Sequence, residues 1–212
     1  MQPNLLFEKN YDEFVVAGID EAGRGPLAGP VVACCAVLDQ NNIIQGINDS
    51  KKLTKNQRQE IFHKIKNNVR YGIGIVDNEE IDQINILQAT MQAMIKAYDD
   101  FVKKYNCSAQ IILVDGNRNP FFNYQKFPLI IESKTIIKGD QKSLSIACAS
   151  IIAKETRDQI MLEYHQKYPQ YCFDQHAGYG TKKHLEKIKK FGICSIHRKT
   201  FQPIKTIVTN QC

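Results

Sequence analysis

Apolar runs and helical periodicities alternate along the chain. Phe14-Val15-Val16-Ala17 leads through Gly18 and Ile19 to Asp20 and Glu21 and reads as a buried strand. Pro30 to Leu38 is a second apolar run, close enough to pair with the first as an antiparallel hairpin across Gly23-Arg24-Gly25. Thr54 is a suitable N-cap for a helix to about Asn68, with Ile61 and Ile65 four apart. Arg70 to Val76 alternates around two glycines as a third strand, and Asn78-Glu79-Glu80 opens a helical region with acids in its first turn. Ile86 to Tyr105 is a long helix, its stripe of Leu87, Met91, Met94, Ile95, Tyr98, Phe101 and Val102 facing the core. Gln110 to Val114 is a fully apolar strand that ends in Asp115 and Gly116.

Phe127 to Ile131 and Thr135 to Ile137 read as short strands. Leu144 to about Tyr168 is a long helix whose first half is mostly small residues, suited to close packing, with Lys154 and Arg157 on an exposed face beyond it. Pro169 stops it. A glycine-flanked tyrosine, Tyr179, precedes a last helix, Lys182 to Phe191, with Gly192 as C-cap. Residues 1 to 13 are polar and read as loosely held. The pattern predicts one α/β domain over residues 1–212, with a helical C-terminal portion from about 168.

Composition narrows the picture without deciding it. Hydrophobic residues make 43% of the 212 and charged residues 24%, as in an ordinary globular chain with a proper core. The formal net charge of +6 leans toward a polyanionic partner, but many soluble proteins carry as much. Seven cysteines include no Cys-x-x-Cys pair, so buried free thiols are expected at Cys34, Cys35 and Cys148, not a zinc site. The first residues lack the apolar core of a signal peptide, and no window reaches the roughly 18 apolar residues of a membrane span. A cytoplasmic, reduced protein is expected.

The candidate chemistry lies in four carboxylates, Asp20, Glu21, Asp115 and Asp140, each following a strand-like segment. Neighbours on a regular strand point to opposite faces, so Asp20 and Glu21 are expected to share a site where Ala22-Gly23-Arg24-Gly25 breaks the strand. Gathered acids repel unless cations intervene, and oxygen donors select Mg²⁺ or Mn²⁺. Two such ions ~3.5–4 Å apart can activate water and stabilise a leaving oxygen in phosphodiester cleavage. Lys51 and Lys52, just ahead of a helix, suit a phosphate or form a solvated basic loop. No Ser-His-Asp set, Walker loop or His-x-x-x-His spacing is present.

The segment Gly18-Ile19-Asp20-Glu21-Ala22-Gly23-Arg24-Gly25-Pro26-Leu27-Ala28-Gly29-Pro30-Val31 resembles the signature of the ribonuclease HII family, the type 2 ribonucleases H. The likeness continues through Asp49-Ser50-Lys51-Lys52-Leu53, Leu113 to Asn117, Lys138-Gly139-Asp140, Ser145 to Lys154, His176 to Thr181 and His197-Arg198. It covers about residues 14 to 203 and implies a ribonuclease H-like mixed sheet flanked by helices. It implies a Mg²⁺- or Mn²⁺-dependent endonuclease that cuts the RNA strand of RNA–DNA hybrids. Duplex DNA would be nicked on the 5′ side of embedded ribonucleotides, leaving 3′-hydroxyl and 5′-phosphate ends.

Carried over, Asp20, Glu21, Asp115 and Asp140 are the catalytic carboxylates, the first three as metal ligands. Gly23, Arg24 and Gly25 sense the 2′-hydroxyl, and Tyr179 packs on the sugar beyond the junction. Lys51 and Lys154 contact phosphates. Cys148 stands where the family usually has alanine, and Ala177 where it usually has lysine, which removes one phosphate contact. Only 19 residues precede Asp20, which favours type 2 over the type 3 enzymes, where an N-terminal extension is usual. A monomer is expected. Two other readings stay open: a silent binder of RNA–DNA hybrids, and a phosphotransferase using the same acidic pair.

Overall fold

A computed structural model describes residues 2–11, 13–122 and 132–209. Five strands, β1 (Val16–Ala22), β2 (Val31–Val37), β3 (Arg70–Val76), β4 (Ile111–Asp115) and β5 (Glu132–Ile136), form one mixed sheet in the order β3-β2-β1-β4-β5. The first three run antiparallel, so β1 and β2 make the expected hairpin; β4 and β5 are parallel to β1. The helices are α1 (Lys55–Asn68), α2 (Asn78–Tyr105), α3 (Leu144–Lys167), α4 (Phe173–His176), α5 (Lys182–Phe191) and α6 (Ile204–Thr209). This is the expected mixed sheet with helices on both sides.

The core lies on both faces. One side packs Ala17, Ile19, Ile112 and Val114 against Ala93, Met94, Ala97 and Tyr98 of α2. The other packs Cys34 and Ala36 against Ile61 and Ile65 of α1 and Ala147, Cys148 and Ile151 of α3. The small residues of α3 let it come very close: a Cβ on Gly18 would lie 2.2 Å from the Ser145 carbonyl carbon. A third apolar cluster, Leu27, Ala28, Met161, Tyr171, Phe173, Ile188, Ile196 and Ile204, joins the loop after β1 to the C-terminal helices. Among the described residues no helix is long and apolar enough to cross a membrane.

Four expectations change. The N-terminal residues are not loosely held: Leu5 and Glu8 are buried, and Glu8–Tyr11 forms a 3-10 turn. The two helical signals between 78 and 105 fuse into α2, with a break at Asn85 (φ 67°, ψ 161°) just before the expected start at Ile86. The core stripe of α2 runs through Ala89, Ala93 and Ala97 as well as Met94, Tyr98 and Phe101, while Leu87 and Met91 are only half-buried. The strand near 135–137 is Glu132–Ile136, and the one expected at Phe127 to Ile131 lies outside the described residues.

Candidate active site

Register brings the acids together. The parallel ladder pairs Ile19 with Val114, so the next residue on each strand, Asp20 and Asp115, emerges at the same end of the sheet. Ligands of open α/β sheets bind at such carboxyl ends. The strand does not break between Asp20 and Glu21: β1 stays regular to Ala22, where the ladder pairs Glu21 with Ala33. Asp20 therefore shares the α3-facing side with Gly18, and Glu21 the α2-facing side with Ile19. Asp115 closes the gap between them, lining a cleft of about 320 Å³ with both and a smaller pocket with Glu21, Thr90 and Met91.

Asp140 belongs to a 3-10 turn, Gly139–Gln141, that docks on β4 when the Gly139 N–H donates to Asp115 Oδ1 at 2.6 Å. Asp140 is buried, and Lys51 Nζ stands 3.4 Å from its Oδ2.

The electrostatics are those of acids short of positive charge. Burial, then the charges of Glu21 and Asp115, push the Asp20 carboxyl well above the usual range. Burial also raises Glu21, against the pull of Arg24, whose Nη1 lies 3.3 Å from Oε1. Asp140 is raised by burial and by Asp115, against the pull of Lys51. Among the described residues no three His, Cys, Asp or Glu side chains already converge on one point. The carboxylates are turned to protein donors, Asp20 Oδ1 accepting from the Glu21 N–H at 2.7 Å. The donor set still fits a hard divalent cation: it is all oxygen, and its mutual repulsion is what such a charge relieves.

The loop after β1 is held from beneath by two arginines. Arg198 donates from Nε to Gly29 O (2.9 Å), Nη1 to Arg24 O (2.9 Å) and Nη2 to Gly23 O (2.6 Å). Arg157 donates to Pro30 O (2.9 Å), Ala28 O (3.1 Å) and, across the cleft wall, Ala177 O (3.0 Å). In a trans peptide the N–H points opposite to the C=O. With the carbonyls of Gly23 and Arg24 bound to Arg198, the N–H groups of Arg24 and Gly25 face away from the guanidinium.

Gly23 needs its positive φ of 99°, and a Cβ there would lie 2.1 Å from Arg157 Nε. Gly25 does not share that need: its φ is ordinary, and a Cβ would sit 3.7 Å from Tyr179 Cε1. Both guanidiniums are fully buried, and burial lowers Arg157 to about 10 and Arg198 to about 9.

Tyr179 is 43% exposed and lines the same cleft, with Arg157 Cζ 6.0 Å from its ring centroid. Lys51 and Lys154 line it too. Lys154 is bound to Asp158 at 2.5 Å, and Asp158 also lies 3.6 Å from Arg58, which joins α1 to Glu155 of α3 at 2.5 Å. Arg157, expected on an exposed face, is buried. Sequence reasoning missed its clamp and that of Arg198, and also Ser50 and Ser150, whose hydroxyls meet at 2.9 Å in the cleft wall. The signal for Arg198 was its place in the His197-Arg198 pair; that for Arg157 was an arginine one turn after a small-residue run.

Comparison with known proteins supplies the context. The family model described as Ribonuclease HII matches residues 17–204. The ribonuclease HII of Rickettsia bellii (strain OSU 85-389) is 50% identical over 197 residues, 93% of this chain and 94% of the relative. That of Chlamydia caviae is 50% identical over 212 residues, covering 98% and 94%. The crystal structure of ribonuclease H2 from Pyrococcus horikoshii OT3 superposes with a TM-score of 0.72 at 32% identity, over 92% of this chain and 97% of the other.

Proposed function

Because the chain belongs to the ribonuclease HII family and is a ribonuclease H, an endonuclease of RNA–DNA hybrids, we propose that it works with Mg²⁺ or Mn²⁺ and also nicks duplex DNA at embedded ribonucleotides. The cut falls on the 5′ side of the ribonucleotide and leaves a 3′-hydroxyl and a 5′-phosphate. The chain acts as one catalytic domain and as a monomer. The observation that carries this reading is one cleft holding Asp20, Glu21 and Asp115 beside both the Gly23–Gly25 loop and Tyr179.

Asp20, Glu21 and Asp115 would hold the cations, with Asp140 beside them. Divalent cations held there would supply activation of the attacking water and stabilisation of the leaving oxygen. The 2′-hydroxyl is what separates RNA from DNA, and the N–H groups of Arg24 and Gly25 are free of the carbonyl clamp to meet it. Arg24 stays tethered to Glu21, which links the reader loop to the acids. The Tyr179 ring packs on the sugar past the junction. Lys51 and Lys154 turn from Asp140 and Asp158 to phosphates.

The test is a duplex DNA carrying one ribonucleotide. Nicking on its 5′ side with Mg²⁺ or Mn²⁺, and none after chelation, is expected. Asp20→Asn should fold and abolish cleavage, since it removes a ligand charge at constant volume. Activity persisting in that variant overturns the metal role of Asp20. Tight binding with no nicking under any metal supports the silent binder instead.

A further inference from the structure

Three histidines take no part in that chemistry, yet they stack under the loop that carries Tyr179. His176 and His184 rings lie 4.5 Å apart and His184 and His197 rings 5.3 Å apart, boxed in by Tyr171 and Phe173. His184 and His197 are fully buried. Their hydrogen bonds leave each ring a single tautomer. His184 Nδ1 faces the Tyr179 carbonyl at 2.9 Å, which can only accept, so Nδ1 carries the proton. His184 Nε2 is then an acceptor, and His197 Nε2, 3.1 Å away, must donate to it. His197 Nδ1 is thereby left bare: the Cys194 N–H donates to it at 2.9 Å and the Cys194 thiol lies 3.2 Å away, while the Cys194 carbonyl, at 3.3 Å, would pair only with a protonated Nδ1. His176 follows the same logic: Nε2 donates to Tyr171 O at 2.9 Å, and Nδ1 accepts from the Gly178 N–H at 3.3 Å.

We propose that this one-directional relay, Cys194 N–H to His197 to His184 to the Tyr179 carbonyl, makes His184 and His197 positioning residues that set Tyr179 for cutting at single ribonucleotides. The inference rests on the role given to Tyr179 above. The Tyr179 segment needs such holding: Ala177 and Gly178 both have positive φ, 46° and 81°, just ahead of it. Just ahead of Tyr179 the Gly178 carbonyl accepts from the Leu27 N–H at 2.8 Å and the Ala177 carbonyl from Arg157 at 3.0 Å, but the other ties of Tyr179's own N–H and C=O are short-range, Tyr179 N–H to His176 O and Thr181 N–H to Tyr179 O, each 2.8 Å. The relay joins it instead to the loop before Arg198, the residue that holds Gly23 and Arg24. Both walls of the cleft are thus referred to residues 194–198. The rings stay neutral in this arrangement, because burial lowers His184 and His197 to about 4. Asp174 and Lys183 are the charged groups facing His176, with opposing effects.

Two measurements decide it. Side-chain ¹⁵N NMR on the wild-type protein at neutral pH should find the proton on Nδ1 of His184 and on Nε2 of His197 and His176. The opposite tautomer at His184, or a charged ring, overturns the relay without recourse to any variant. The second measurement is the ratio of nicking at one ribonucleotide to cleavage of a long hybrid, both with Mg²⁺. His184→Asn keeps a donor where Nδ1 stands but loses the acceptor for His197 Nε2, so it should lower that ratio only about threefold; an unchanged ratio overturns the part given to His197. His184→Gln, whose amide reaches only the Nε2 position, should lower it about tenfold, the effect of one lost hydrogen bond. Variants that lower both activities alike, while Tyr179→Ala shifts the ratio, overturn the positioning role alone. A Tyr179→Ala that leaves the ratio unchanged overturns the reading of Tyr179, and the positioning role falls with it.

Discussion

At Gly23 the backbone turns through a positive φ with Arg157 packed where a side chain would go, whereas at Gly25 an ordinary φ leaves room for a methyl group beside Tyr179. The two glycines therefore respond differently to alanine. Gly23→Ala should destabilise the fold by more than about 2 kcal/mol, through backbone strain and displacement of Arg157. Gly25→Ala should change stability by less than about 0.5 kcal/mol yet lower nicking, because its methyl would stand 3.7 Å from Tyr179 Cε1 beside the Arg24 and Gly25 amides proposed to meet the 2′-hydroxyl. Urea unfolding and a nicking assay on each variant separate the cases; equal stability losses would show the two sites to be alike. The pair of glycines around Arg24 was legible in the sequence as an unusual backbone. Their division of labour was not, because it depends on Arg157, more than 130 residues away. The same holds for Asp20 and Glu21: their site was legible, but adjacency suggested a broken strand, and only the register with β4 explains why an unbroken one serves.

Among the elements, α3 depends most on a residue far from it in sequence. Glu8 Oε1 accepts from the Ser143 hydroxyl (2.6 Å), the Ser145 hydroxyl (2.7 Å) and the Ser145 N–H (2.9 Å) at the start of α3. A carboxylate there satisfies donors that a helix N-terminus leaves open and complements its dipole. Glu8→Ala should cost about 2–3 kcal/mol of stability with little change in nicking per folded molecule, read from urea midpoints and from rates normalised to active enzyme. A cost under about 0.5 kcal/mol would mean the serines rebond to each other, 3.0 Å apart. Helices α1, α3 and α5 were legible because caps and apolar spacing are local: Thr54, Ser143 and Thr181 each accept from the main chain three residues on. Asn85 shows the same rule inside α2, its Oδ1 capping Leu87 and Gln88 where the periodicity restarts. The N-terminal turn had no such signal, since its partner is 135 residues away.

For the molecule as a whole, the buried histidines predict acid sensitivity. Both His184 and His197 are held near 4, below the ordinary 6.5, so the folded state resists protons that the unfolded chain accepts. Their contribution is complete above pH 6.5 and is lost as pH falls toward 4, approaching about 3 kcal/mol per ring. The raised carboxyls of Asp20, Glu21 and Asp140 act in the opposite sense and are common to wild type and His184→Asn. Wild type should therefore lose more stability than His184→Asn between pH 6.5 and 4.5, measured by urea unfolding without metal. Parallel curves would mean that His184 is protonated in the folded protein. The order of the five strands was only partly legible: the hairpin followed from proximity, while the parallel pairing of β1 with β4 rests on contacts across about 95 residues.

The bonds from Arg198 back to Gly23, Arg24 and Gly29 also order events during synthesis. Every acid of the cleft has left the ribosome long before Arg198 is added, but the loop that would inspect the sugar cannot set without it. In a growing chain the acids are therefore synthesised well before the residue that fixes the loop beside them.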